Sequence, residues 1–347
     1  MKLLALVALV IAGSAAVAAP ASGATPLPRV VWDFGITKAV SADVVASTSL
    51  PDGSQVYVFG DTMSVNRAVI CSPTSCPFGY PHSSVAIERH GSANFVMQSC
   101  SAFGCPYGWQ WVPNWPDGSY FWMAAPAVLG KTLYVVGMRT TTTGSGCSFG
   151  CSEGEYVASF AIGPGDALTY KEITQLTGTA GQSQWGAAVA DLAAGGWWLT
   201  GTRNTGASGC FVDCKTMDVA FVPFTAILDA TRWRLSPGVL PSGQGWDVGT
   251  VASLVRAGSH WVIFTKQNDI IGSAIEELSS RQVTSGWSQA GSFAISPIRG
   301  CTLTYSVQAH TGDGAPSGEM LVFWANNGNA TGATCPYEPR FRYLPVR

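Results

Sequence analysis

Three aspartates carry the chemistry that this chain can offer. Asp43 lies in Ala42-Asp43-Val44-Val45-Ala46-Ser47, Asp247 in the run from Trp246 to Ser253, and Asp61 in Gly60-Asp61-Thr62. Aspartate is depleted in strands, and a carboxylate among small apolar residues is costly to bury unless it is paired or used. If the first two stretches are equivalent strands, Asp43 and Asp247 sit at matching ends and face each other across a pocket. Two opposed carboxylates meet the requirement for glycosidic hydrolysis: one protonates the leaving oxygen while the other activates water or attacks. A carboxyl separation of about 5 Å gives retention, and about 6.5–9.5 Å inversion. The structural alternative is that each aspartate caps its own turn or pairs with an arginine.

The elements that must position these residues come from a repeat. A short apolar, aromatic strand recurs five times, as VYVFGDT (56–62), LYVVGMR (133–139), WWLTGTR (197–203), HWVIFTK (260–266) and MLVFWAN (320–326). Tyr57, Tyr134, Trp198, Trp261 and Leu321 mark its second position, at spacings of 77, 64, 63 and 60 residues. Each copy follows a strand of small residues (42–47, 123–129, 185–192, 246–253 and 303–309) and precedes an alternating strand (84–90, 156–162, 217–224, 273–278 and 340–346). A fourth strand carrying an aromatic residue follows in four units, marked by Phe95, Tyr170, Trp233 and Trp287. Four antiparallel strands per unit and five units predict an all-β, five-bladed β-propeller in one domain over 28–347. The last unit lacks its fourth strand, so Arg29–Phe34 is expected to pair with the last blade and close the ring. Two stacked sandwiches are the rival fold, but they do not require so regular a unit order.

In such a blade the starts of the inner strands and the ends of the next share one face. Asp61 is the one charged member of its column, against Met138, Thr202, Thr265 and Ala325. The following column reads Thr62, Arg139, Arg203, Lys266 and Asn326, three cations in a chain with 19 Lys and Arg in all. They are candidates to tune the aspartates, to bind substrate together with Asn326, or to form inter-blade ion pairs. Trp122, Trp185 and Trp246 stand at inner-strand starts, as sugar-stacking platforms or as packing between blades. His310 is read as a structural histidine or an axial ligand. No cofactor is expected, and an axial structural cation has no dense acidic repeat to support it.

Ten cysteines fall in the loops of that same face: Cys71 and Cys76, Cys100 and Cys105, Cys147 and Cys151, Cys210 and Cys214, then Cys301 and Cys335. Neighbour pairing is expected, with Cys301 joined to Cys335, because residues 1–19 read as a secretory signal peptide and zinc lacks nearby histidines. After its removal the chain is expected to be secreted, monomeric and not membrane-bound. Charge is sparse, at 12% DEKR and net −2. No basic face is available for nucleic acid, which excludes that partner. Asn329-Ala330-Thr331 matches the glycosylation sequon.

The opening residues carry a resemblance. Ser41-Ala42-Asp43-Val44-Val45, then Leu50-Pro51-Asp52-Gly53, then Val56 to Thr62 resemble the first blade of five-bladed propeller glycoside hydrolases of the arabinanase-like superfamily. The chain is most similar to a secreted actinobacterial group that includes endo-D-arabinofuranases, over about residues 30–65. The resemblance implies a hydrolase of furanosidic, arabinan-type cell-wall polysaccharide with Asp43 as general base. Arabinanase-like enzymes also carry a Glu acid and a third carboxylate on other inner strands. Here the second and third inner strands begin Trp122-Met123 and Trp185-Gly186, so Asp247 is the expected acid and Asp61 a tuning group. The alternative is a propeller that binds carbohydrate, or adheres to a surface through it, without turnover.

Overall fold

The computed structural model describes residues 29–32, 40–64, 81–89, 94–98, 110–144, 151–206, 214–240, 248–295, 303–310, 315–327 and 339–347. The first blade is built from β1 (Arg29–Trp32), β2 (Val40–Ala42), β3 (Ala46–Ser49), β4 (Gln55–Phe59), β5 (Thr62–Ser64), β6 (Ser84–Glu88) and β7 (Asn94–Met97). The second contains β8 (Tyr120–Leu129), β9 (Thr132–Thr141), β10 (Cys151–Ile162) and β11 (Leu168–Gln175). The third has β12 (Gln184–Asp191), β13 (Gly196–Asn204), β14 (Lys215–Pro223) and β15 (Arg234–Leu240). The fourth has β16 (Val255–Ala257), β17 (His260–Lys266), β18 (Ala274–Ser280) and β19 (Ser288–Ala294). The fifth has β20 (Leu303–His310), β21 (Glu319–Asn327) and β22 (Pro339–Pro345). Blades 2, 3 and 4 are four-stranded antiparallel meanders. Helix among the described residues is confined to short 3-10 turns such as Gly178–Gln182, and none is long and apolar enough to cross a membrane. The chain is a five-bladed β-propeller, as its repeat predicts.

Strand composition follows position in the blade. The second strands lie between two neighbouring blades, so both their faces are buried and they read as continuous apolar runs. All five residues of β4 (QVYVF) are buried, whereas β11 at the outer rim is mostly exposed or half-buried. Five apolar clusters fill the five interfaces between blades. Val58 with Phe121 joins blades 1 and 2, Val136 with Trp197 blades 2 and 3, and Met217 with Ile263 blades 3 and 4. Phe264 with Val322 joins blades 4 and 5, and Tyr57 with Phe323 joins blade 5 back to blade 1. Truncating one of the buried phenylalanines to alanine removes about 3–5 kcal/mol.

Two expectations are corrected. β1 does not pair with the last blade; it runs parallel to β7, Arg29 opposite Asn94 and Trp32 opposite Met97. It thus covers the outer edge of blade 1, which would otherwise present unpaired backbone groups. The ring closes instead by side-chain packing, with Ala42, Tyr57 and Phe59 against Leu321, Phe323 and Ala325. The inner strand of blade 4 is the short β16 (Val255–Ala257), beyond the expected 246–253, and no strand forms over the described residues 248–253. The Gly249 N–H donates to Thr265 Oγ1 (3.1 Å) and the Thr250 N–H to Asp269 Oδ1 (3.0 Å), so side chains take the place of a ladder there. Asn329 lies outside the described residues.

His310 lies in the seam between blades 5 and 1 and is a structural residue. Its Nδ1 meets Ser47 Oγ at 2.7 Å, its ring packs against Tyr57 at 5.2 Å, and its buried Nε2 has no partner among the described residues. Burial lowers its pKa to about 3, against about 6.5 for an unfolded histidine. The folded state therefore binds fewer protons than the unfolded chain below pH 6.5, and stability falls as pH drops from there to about 3. At most about 5 kcal/mol is involved. His310→Gln should flatten the acid limb of a denaturant-derived stability profile in this window, by about 1.4 kcal/mol per pH unit; an unchanged slope would contradict this account.

Candidate active site

The inner strands break register where they approach the axis. Blade 2 shifts between Met123 and Ala125, blade 3 between Trp185 and Ala187, and blade 5 between Tyr305 and Gln308. In blade 1, Asp43, Val44 and Val45 separate β2 from β3, and Val44 takes a φ of 44°. A β-branched residue there is strained, a conformation that persists only where its surroundings impose it. The interrupted residues fill the axis: Val44, Ala124 and Val251 pack together with Trp122 against them. Gly186 is required by closeness, since a Cβ there would meet Val251 Cγ1 at 2.5 Å. The Gln308 side chain crosses from blade 5 to blade 3, donating to the Gly186 carbonyl at 2.9 Å. Beyond this plug, toward the face opposite Asp43, is a cavity of about 470 Å³ whose wall includes Ala46, Ala187, Ala190, Val255 and Gln308.

On the other side of the plug Asp43 is buried, at 4% exposure. Its Oδ1 accepts the Asp61 N–H at 2.9 Å and its Oδ2 the Tyr305 hydroxyl at 3.4 Å. The backbones are tied as well, Asp43 N–H to the Asp61 carbonyl at 3.2 Å and Gly60 N–H to the Asp43 carbonyl at 3.0 Å. Asp61 lies opposite Asp43, its side chain 25% exposed, with Oδ1 at 2.7 Å from His82 Nδ1. His82 in turn stacks on Tyr120 of blade 2, with ring centroids 3.5 Å apart and planes at 14°. Thr62 anchors the far side: its N–H donates to the Pro81 carbonyl at 2.9 Å, and its hydroxyl meets Ser84 Oγ. The result is a mouth on the propeller axis that joins a buried carboxylate, a part-exposed carboxylate, the half-buried Trp122 and the Tyr305 hydroxyl.

Strand register sorts the other candidates. Ser47 faces Tyr57 and Arg256 faces Trp261, at the same repeat position. Four residues back from Ser47 is Asp43, and four back from Arg256 is Ala252, or Val251 if blade 4 carries a one-residue bulge. Ala252 or Val251 therefore takes the Asp43 position in blade 4; Asp247 and Trp246 lie outside the described residues. Trp122 pairs with Met138, whereas Trp185 pairs with Gly201, which matches Gly137, one step earlier in the repeat. A one-residue step turns a side chain to the other face. Trp185 is accordingly buried at 1% exposure, its Nε1 donating to the Ala180 carbonyl at 2.8 Å. It is a core residue, not a stacking platform.

The cation column is held by protein acceptors. Arg139 pairs with Asp117 and with Glu153 (2.9 Å) and lies over Trp115. Arg203 pairs with buried Asp218 at 2.9 Å. Lys266 is fully buried, with Nζ donating to the Asp269 carbonyl at 2.9 Å and to the Gly272 carbonyl; burial lowers its pKa to about 8, partly offset by Asp269. Asn326 is fully buried, with no partner among the described residues for either end of its amide. Glu155 is buried between blades 2 and 3, where desolvation raises its pKa well above the usual carboxylate range despite the Trp185 N–H. Cys151 and Cys214, the two cysteines among the described residues, are both disulfide-bonded; Cys71, Cys76, Cys100, Cys105, Cys147, Cys210, Cys301 and Cys335 lie outside them. No three His, Cys, Asp or Glu among the described residues cluster as metal ligands would.

His82, Tyr120 and Tyr305 were not singled out from sequence. Aligning the inner strands by pairing register, with Ala325 opposite Tyr305 as Asp61 is opposite Asp43, would have marked Tyr305. Nothing local marks His82 or Tyr120.

The fold recurs in solved structures at low identity. A proposed hydrolase from Bacteroides ovatus ATCC 8483 superposes with a TM-score of 0.63 at 15% identity, over 87% of this chain and 85% of that one. The α-L-arabinanase of Cellvibrio cellulosa, solved with arabinohexaose, gives 0.51 at 13%, over 89% and 93%. The GH43_1 enzyme of Xanthomonas citri, solved with xylotriose, gives 0.55 at 12%, over 89% and 88%. No protein-family model and no curated protein matches the chain. What these likenesses share with this chain is the propeller architecture.

Gly60 is the tightest point of the site. A Cβ there would lie 2.0 Å from Trp122 Nε1 and 2.5 Å from Asp43 Oδ1. Gly60→Ala must displace the indole or the carboxylate, at a cost of about 1–3 kcal/mol. The expected outcome is a lower thermal midpoint together with a shift in tryptophan emission; a variant with wild-type melting would contradict this packing.

Proposed function

We propose that this protein is a secreted glycoside hydrolase that cleaves neutral, furanose-containing polysaccharide at the axial mouth, with Asp43 and Asp61 as the reacting carboxylates. The observation that carries the reading is their juxtaposition: two aspartates on paired positions of one blade, hydrogen-bonded through the Asp61 N–H, at the open end of a plugged axis. Asp43 is buried and held by hydrogen bonds, which suits a base or nucleophile that must not reorient. Asp61 is part-exposed and suits the group that meets the leaving oxygen. Trp122 supplies an apolar face beside them for a sugar ring. With Arg139, Arg203 and Lys266 engaged by protein groups, a neutral glycan fits better than an anionic one. Solved propellers of this architecture hold arabinohexaose and xylotriose, which supports an oligosaccharide partner. Removal of residues 1–19 on export, neighbour pairing of the cysteines and a monomeric secreted form belong to the same reading.

The test is reducing-sugar release from arabinan, arabinogalactan and xylan by wild type, Asp43→Asn, Asp61→Asn and Asp247→Asn. Loss of about 100-fold or more is expected for the first two variants, the scale of a lost acid or base, with Asp247→Asn retaining activity. Inactivation by Asp247→Asn with Asp61→Asn active would make Asp247 the second carboxylate. Binding without release by wild type would favour a carbohydrate-binding propeller.

A further inference from the structure

We infer that His82 is a positioning residue, which fixes the Asp61 carboxylate at the mouth and, through the Asp61 backbone, the Asp43 carboxylate beside it. The inference rests on the reading of Asp43 and Asp61 as the reacting pair. His82 is 2% exposed and lies behind Asp61, which is 25% exposed. The imidazole therefore grips the inner side of the carboxylate and leaves its other side toward the mouth. At that depth the ring does not reach a bound glycan, so its influence passes through Asp61.

The ring itself has little freedom. One face is stacked on Tyr120, and the chain is anchored on both sides of it. The Pro81 carbonyl accepts the Thr62 N–H at 2.9 Å, and the Ser83 carbonyl accepts the Trp111 N–H at 2.8 Å. Ser83 Oγ accepts the Val112 N–H at 3.0 Å. An imidazole so fixed transmits its position to any group bonded to it. Asp61 is that group, and its N–H and carbonyl both bond to Asp43. Asp61 alone, on a part-exposed strand end, would sample several rotamers, and a misplacement of about 1 Å in a reacting group can cost about a hundredfold in rate. With the carboxylate accepting, Nδ1 is the protonated nitrogen of His82. The arrangement also explains why blade 2 takes part in a site whose carboxylates are both in blade 1: Tyr120 supplies the surface on which the imidazole rests.

The experiment compares His82→Phe, His82→Gln, Asp61→Asn and the double variant His82→Phe/Asp61→Asn with wild type, on whichever of the three polysaccharides is cleaved. kcat, KM and thermal midpoint are measured for each. His82→Phe should lower kcat by about ten- to a hundredfold with KM nearly unchanged. His82→Gln, which keeps a side-chain N–H donor, should recover much of the loss, and the double variant should be no slower than Asp61→Asn alone. Long-range proton–nitrogen NMR correlation of the wild type should place the His82 proton on Nδ1. Wild-type kcat in His82→Phe, losses that multiply in the double variant, or a loss that follows the thermal midpoint without rescue by glutamine would overturn the inference while Asp43→Asn remained inactive. Release unaffected by Asp43→Asn, or no release by wild type, would instead overturn the functional reading and this inference with it.

Discussion

Five inner strands converge on one axis, and there is no room there for five regular ladders. Each described inner strand meets this crowding by breaking its pairing at nearly the same height, with Val44 forced to a φ of 44° and Ser306 to 54°. Breaks of this kind re-aim side chains and increase local bending. In blades 2 and 3 the residues at the break, Ala124 and Gly186, fill space, whereas the break in blade 5 is bounded by Tyr305 and Gln308, which bond to Asp43 and to Gly186. In blade 1 the break begins at Asp43, so the constraint that closes the axis also sets a carboxylate at its rim. The plug formed by Gln308 and Gly186 follows from the same crowding, and it separates the mouth from the cavity on the opposite face.

Holding a carboxylate there requires compensation, because an ionised group is poorly tolerated away from water. The compensation comes from three parts of the chain. The Asp61 N–H is local, the Tyr305 hydroxyl arrives from the last blade across the ring seam, and Gly60 leaves space that any side chain would occupy. The seam is therefore more than a closure. It is packed by Tyr57, Phe323 and His310, and it brings blade 5 close enough for Tyr305 to touch Asp43. Stability of the ring and geometry of the mouth depend on the same contacts.

Much of this was legible in the sequence because burial on both faces leaves a plain signal. The five aromatic strands, most of their partners and the propeller follow from periodicity, and Asp61 stood out as a charge in a column of neutral residues. What sequence missed depends on register and on contacts between distant segments. Trp185 and Trp122 look alike in the sequence, yet a one-residue offset sends one into the core and leaves the other at the axis. Asp247 matched Asp43 by its neighbouring letters, whereas the ladder of blade 4 sets Ala252 or Val251 at that position. Ring closure was misread because β1 satisfies its backbone on β7, a choice that no local residue announces. His82 and Tyr120 are 38 residues apart and meet only because adjacent blades stack.

The central claim is that Asp43 and Asp61 flank the reacting bond at the axial mouth. A crystal structure of Asp43→Asn soaked with an arabino-oligosaccharide tests it most directly. A glycosidic oxygen within hydrogen-bonding distance of Asp61, with the adjoining sugar over Trp122 and its anomeric carbon toward residue 43, is the predicted result. Oligosaccharide bound on the opposite face, or along the outer rims of the blades with the mouth empty, would contradict it.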